Sequence, residues 1–154
     1  MLDFKKYFIL FSFFILFKES SATPVGKGLY CVYNKDGTLS NYKEFRGLYF
    51  ETNESVRVVT FKNKNKSLKT ISKQTPYRIS EEKIEFKIKF IWYGNISFEN
   101  FVLNRKDLSL KHENNNAKNF FHCKILDEEF MFEMEKFKSQ YQLKLNDKLK
   151  NNKI

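Results

Sequence analysis

Between Ile84 and Phe101 apolar and charged residues alternate. Ile84, Phe86, Ile88, Phe90 and Trp92 take every second position, with Glu85, Lys87 and Lys89 between them. A period of two puts the apolar set on one face of a strand and the charges on the other. Gly94-Asn95 interrupts the run, and Ile96 and Phe98 resume it. This predicts a long β-hairpin with one dry face and one wet face. Such a hairpin is not stable alone in water, so further strands or a helix must cover the dry side.

Shorter β-forming runs flank it. Leu29 to Tyr33, Gly47 to Glu51, Val56 to Phe61, Asp107 to Lys111 and Asn119 to Ile125 each read as a strand. The segments Asn34-Lys35-Asp36-Gly37, Asn53-Glu54-Ser55 and Asn104-Arg105-Lys106 read as turns, and Asn114-Asn115-Asn116 as a loop. Lys62 to Lys66 has no apolar residue and is expected to be an exposed loop. Leu68 to Ile71 reads as a short strand. Pro76 restricts Tyr77-Arg78-Ile79 to an edge strand or a strand start. Leu39 to Phe45 fits either a strand or a loop.

The period changes at Asp127. Phe130, Met134, Phe137, Tyr141, Leu145 and Leu149 recur at three- and four-residue spacing, which predicts an amphipathic helix over 127–150. Asp127 suits the N-cap, with Leu126 and Met131 placed for a hydrophobic staple. Glu128 and Glu129 in the first turn and Lys148 and Lys150 in the last agree with the helix dipole. About seven or eight short strands followed by one helix predict a mainly β (α+β) domain. The expected architecture is a small antiparallel barrel or sandwich with a C-terminal helix on its side or across one end.

The first residues follow neither period. Lys5 and Lys6 precede an apolar run from Tyr7 to Phe17, and Ser20-Ser21-Ala22 supplies small residues at a cleavage position. The run is shorter than the ~20 residues a spanning helix needs. Residues 1–22 therefore read as a signal peptide, and 23–154 as a single domain. Export makes the two cysteines, Cys31 and Cys123, candidates for one disulfide, with two free thiols or an intermolecular bridge as the other arrangements. Their spacing fits no metal-site pattern.

The net charge of +10 suggests an anionic partner, either an envelope polymer or a membrane surface. Nearly all of the basic residues are Lys, with only Arg46, Arg57, Arg78 and Arg105 as the residue preferred for planar phosphate recognition. With export, this disfavours nucleic acid, although Lys interleaved with aromatics over Ile84 to Tyr93 is compatible with single strands. Lys87, Lys89, Trp92 and Tyr93 are the candidate surface contact. The chain has 18 Phe and 8 Tyr, and those of the domain fill either a core or a barrel cavity for an apolar ligand. His112 and His122, near Glu99, Asp107 and Glu113, are the only histidines and match no catalytic or metal motif. No catalytic residue, metal ligand or cofactor site is assigned. Asn53, Asn65 and Asn95 each begin a glycosylation acceptor triplet, which matters only in a eukaryotic source.

Several segments together carry a resemblance. They are Gly28-Leu29-Tyr30-Cys31, the stretch from Trp92 through Leu103-Asn104-Arg105-Lys106-Asp107-Leu108, Cys123, and the Lys-rich C-terminus ending Asn152-Lys153-Ile154. They resemble a group of uncharacterised short exported proteins of AT-rich bacteria, and Leu-Asn-Arg is the most specific part of the likeness. The resemblance implies an envelope location and a Cys31–Cys123 bond, and no activity. The sequence thus leads to an exported, periplasmic or extracellular binding or structural module without catalysis. The alternative is a lipocalin-like carrier of an apolar small molecule in the barrel interior.

Overall fold

The computed structural model describes residues 23–33, 41–92, 95–113 and 120–151, and the backbone alone at 90–92 and 95. Residues 1–22, the turn expected at Asn34–Gly37, the loop expected at Asn114–Asn116, Tyr93, and the side chain of Trp92 lie outside the described residues.

Eight strands run up and down in sequence order: β1 Gly28–Val32, β2 Phe45–Phe50, β3 Ser55–Lys64, β4 Ser67–Ile79, β5 Lys83–Trp92, β6 Asn95–Asn104, β7 Ser109–His112 and β8 Phe120–Ile125. Every neighbouring pair is antiparallel, and β8 pairs back onto β1 to close a barrel. Closure gives every strand two neighbours. The helix α1, Phe130–Asn151, follows on the outside. Its first turn is closed by Glu133 N–H donating to the Glu129 carbonyl. Asp127 therefore lies before the helix, in a bend.

The alternation seen in sequence sorts side chains into two cores. Inside the barrel, Leu48, Phe50, Val56, Val58, Ile84, Phe86, Ile88, Phe101, Leu103 and Leu110 are buried together with both cysteines. Cys31 faces Cys123 directly across the β1–β8 seam, and the two form a disulfide within this interior. On the outer face of β1 to β4, Val32, Phe45, Val59, Phe61 and Leu68 pack under Phe130, Met134 and Tyr141 of α1. Aromatic rings dominate that contact. Phe45 meets Phe61, Phe137 and Tyr141, while Tyr49 stacks on Phe130. Helix and barrel approach closely because β1 and β2 offer glycines there. A Cβ on Gly47 would stand 2.3 Å from Met134 Sδ, and one on Gly28 would stand 3.2 Å from Phe130 Cδ2.

Besides the Asp127 N-cap, two expectations about the strands are corrected. Lys62 to Lys66 is not a loop: β3 continues to Lys64, Asn65 and Lys66 form a two-residue turn, and β4 begins at Ser67. Both turn residues have positive φ, 54° and 65°, as a type I′ hairpin turn requires. The inward side of the strands is polar here because it rises beyond the packed barrel interior, while Phe61 and Leu68 on the other side are covered by α1. Leu68–Ile71 and Tyr77–Ile79 are also one strand, with Pro76 inside it. Pro76 lies opposite Ser55 at the last β3–β4 pair, and β4 pairs with β5 only from Tyr77 onward. A residue without an N–H is tolerated at such a change of partner. The ambiguous segment before β2 contains a short 3-10 turn, Tyr42–Glu44, capped by Asn41.

The turn gives a direct stability prediction. Lys66 holds a left-handed conformation that costs a side-chain-bearing residue roughly 1–2 kcal/mol, and its backbone carbonyl still accepts from Gln142 Nε2 of α1. Lys66→Gly keeps that bond and should stabilise the fold by about 0.5–1 kcal/mol. The denaturation midpoint should rise with its slope unchanged.

Candidate functional site at the barrel mouth

Strand direction gives the barrel two chemically different ends. At the lower end are the β2–β3, β4–β5 and β6–β7 turns and the start of α1. Glu51, Glu54, Glu81, Glu82, Asp107, Asp127, Glu128 and Glu129 gather there. Tyr77 lies within the lower interior and donates its hydroxyl to the Thr52 carbonyl, while Leu108 packs against the same core. Arg105, from the Leu-Asn-Arg step, donates to the Ser80 carbonyl and ties two lower turns together.

The upper end, toward which the β3–β4 and β5–β6 hairpins point, is basic. Lys62, Lys64, Lys69 and Lys73 share the strand parity of the inward-facing Val58 and Tyr77, and Lys66 lies in the turn itself. The opposite side of this hairpin, with Phe61 and Leu68, is covered by α1. On the β5–β6 hairpin, Lys87 and Lys89 lie on the outer face with Ile96 and Phe98, and Lys87 Nζ sits 4.6 Å from the centre of the Phe98 ring. Ile96 is 55% and Phe98 46% exposed, so this face combines cations with accessible apolar surface. Lys87 and Lys89 of the expected surface contact therefore share one face, and Ile96 and Phe98 complete it.

Between the two hairpins the wall opens. Backbone pairing of β4 with β5 stops after three residue pairs. Side chains bridge the strands above that point, with Thr75 Oγ1 donating to the Lys87 carbonyl at 2.6 Å and Lys73 Nζ to the Lys89 carbonyl at 2.5 Å. A cleft of about 610 Å³ lies at this mouth, lined by Tyr42, Phe61 and Ile71 and by Lys43, Arg46, Lys62, Lys73 and Glu99. A second cleft of about 360 Å³ adjoins it through Arg46 and Glu99 and reaches Phe101, His112 and Phe121.

Arg46 lies at the junction of the two clefts. It has the inward parity of Leu48 on β2, and its guanidinium carbon lies 5.3 Å from the centre of the Phe121 ring. Nη1 donates to the carbonyls of Lys43 and Phe45, both at 2.8 Å. Nε is buried and has no hydrogen-bond partner. Burial pushes the guanidinium below its ordinary pKa, and the negative charge of Glu99 opposes that shift. His112, inward on β7, presents a second buried atom without a partner: its Nε2 stands 3.9 Å from Glu99 Oε2, too far for a hydrogen bond. A buried polar group left unpaired costs about 1–3 kcal/mol, so two in one cleft need an explanation.

Comparison with protein-family models, curated proteins and solved structures gives no match to this chain. The site is therefore read from its own geometry.

The histidines do not converge. His112 shares the inward parity of Leu110, whereas His122 alternates with the inward Phe121 and Cys123 and faces outward. Of the nearby carboxylates, Glu99 approaches His112. Asp107 instead accepts from Ser109 at the lower end, which holds it below the usual carboxylate range. Among the described residues, no three His, Cys, Asp or Glu side chains are grouped to hold a metal ion. In the sequence Arg46 is one of four arginines and lies between the ambiguous Leu39–Phe45 segment and the Gly47–Glu51 strand, with nothing to single it out from the other three.

Proposed function

We propose that the protein is an exported, non-catalytic binding module of the cell envelope that sets its upper end against an anionic surface. The observation that carries this reading is the uneven distribution of charge along the barrel axis, with an excess of lysines above and of carboxylates below. A net charge of +10 attracts an anionic surface; an uneven axial distribution also orients the approach. Once oriented, the barrel presents Ile96 and Phe98 beside Lys87 and Lys89, which suits the boundary of a lipid headgroup layer. The apolar run before residue 23 and the buried disulfide support a periplasmic or extracellular location.

Vesicle co-sedimentation of the disulfide-bonded protein tests this. Vesicles containing phosphatidylglycerol should bind it at low salt, and affinity should fall at least about tenfold at high ionic strength. Equal binding to phosphatidylcholine vesicles, or binding indifferent to salt, would contradict the reading.

The apolar-ligand carrier is the second reading, and one observation favours it: the cleft of about 610 Å³ over Phe61 and Ile71. The site for such a ligand is the mouth, because Leu48, Phe50, Ile88, Phe101 and Leu103 already fill the barrel below it.

A further inference from the structure

We infer that the mouth binds a carboxylate-bearing amphiphile, its headgroup on the Nε edge of Arg46 and its apolar body along Phe61 and Ile71. Three observations lead there. The guanidinium is fixed by two backbone carbonyls through Nη1, which leaves the Nε–Nη2 edge as the fork for an incoming group. Nε on that edge is buried without a partner, and His112 Nε2, lining the same cleft, is in the same condition. One anion between them would satisfy both.

The surroundings narrow the class. A guanidinium fork matches any planar or tetrahedral oxyanion. Here Glu99 also lines the cleft and its negative charge already acts on Arg46, so a second charge on the ligand is opposed, and a dianionic phosphate is disfavoured relative to a carboxylate with one. Phe101 and Phe121 border the cleft with flat rings, which suits a planar head. The adjoining cleft adds Tyr42, Phe61 and Ile71, a lining that gains from an apolar body and not from water. Lys43, Lys62 and Lys73 around the same opening favour the approach of an anion.

The test is a titration of the disulfide-bonded protein in solution with monomeric decanoate, using decanol and decyl phosphate as comparison probes. No vesicle is present, so the outcome is independent of surface docking. Two readouts serve, calorimetry and the Nε–H resonance of Arg46. Decanoate should bind at one site and shift that resonance, and decanol and decyl phosphate should bind at least about tenfold more weakly, as expected for a lost charge-assisted pair. Arg46→Gln should lose at least about tenfold in decanoate affinity. Arg46→Lys, which keeps the charge and loses the fork, should fall between. If Arg46→Gln does not fold, the resonance shift and Arg46→Lys decide. Decanol binding as tightly as decanoate, an unmoved Arg46 resonance, or wild-type affinity in either variant would overturn the assignment. Tighter binding of decyl phosphate would overturn the preference for carboxylate.

Discussion

Replacing Cys31 and Cys123 together by alanine should lower unfolding stability by about 4 kcal/mol and the melting temperature by about 15 °C. The two cysteines are 92 residues apart in sequence and directly opposed in the seam that closes the barrel. Breaking the link returns the freedom of nearly the whole β domain to the unfolded chain. The native seam loses less, because four backbone pairs still join β1 to β8. Far-UV circular dichroism below the transition should therefore remain that of the wild type, while the midpoint moves. Alanine is preferred to serine because both sulfurs lie in the apolar interior, where an unpaired hydroxyl would add its own penalty. A loss under about 1 kcal/mol would mean that the ladder alone closes the barrel.

Gly47→Val should cost about 3 kcal/mol, a large effect for a β-favouring substitution within a strand. The outer face of β2 at this position is filled by Met134, which is fully buried, and a Cβ would overlap its sulfur. Either Met134 leaves its rotamer or α1 moves away from the aromatic layer formed by Phe45, Tyr49 and Phe130. The cause can be isolated. Met134→Ala alone should cost about 3 kcal/mol by leaving a cavity. The double variant should cost at least about 1 kcal/mol less than the sum, because the new methyls occupy vacated space. Strict additivity would show that Gly47 matters for some reason other than room for the helix.

The parts of the fold that were legible in sequence are those where one side of an element touches a core. Ile84, Phe86 and Ile88 face the barrel interior and Lys87 and Lys89 face water, so the period of two survives in the sequence. Phe130, Met134 and Tyr141 meet the outer wall, so the helical stripe does too. Where strands rise past the core, the signal is lost. Lys62-Asn63-Lys64 forms β structure with no apolar face, and only the Asn65-Lys66 turn chemistry marks the hairpin. Pro76 misleads because β4 changes partners there, which a linear reading cannot see.

The site was less legible for a related reason. Arg46, Glu99 and His112 come from β2, β6 and β7, and they meet only because the barrel closes. The nearness of Glu99 to His112 could be raised as one pairing among several. The partnerless Nε of Arg46 had no counterpart in the linear pattern. The glycines at 28 and 47 likewise acquire meaning only once the helix lies against them.

The account depends most on charge being unevenly distributed along the barrel axis, and position can be varied while net charge is held constant. Lys64, Lys66 and Lys89, exposed at the upper end, can be changed together to glutamine; so can Lys27, Lys83 and Lys106, exposed at the lower end. The lower set includes two surface ion pairs, to Glu85 and Glu82, whose loss costs little stability. Both triple variants lose the same formal charge. Measured against phosphatidylglycerol vesicles at one ionic strength, the upper variant should bind at least about tenfold more weakly than wild type. The lower variant should stay within about threefold of wild type. Equal losses in the two variants would show that only total charge matters and would contradict the oriented docking proposed here.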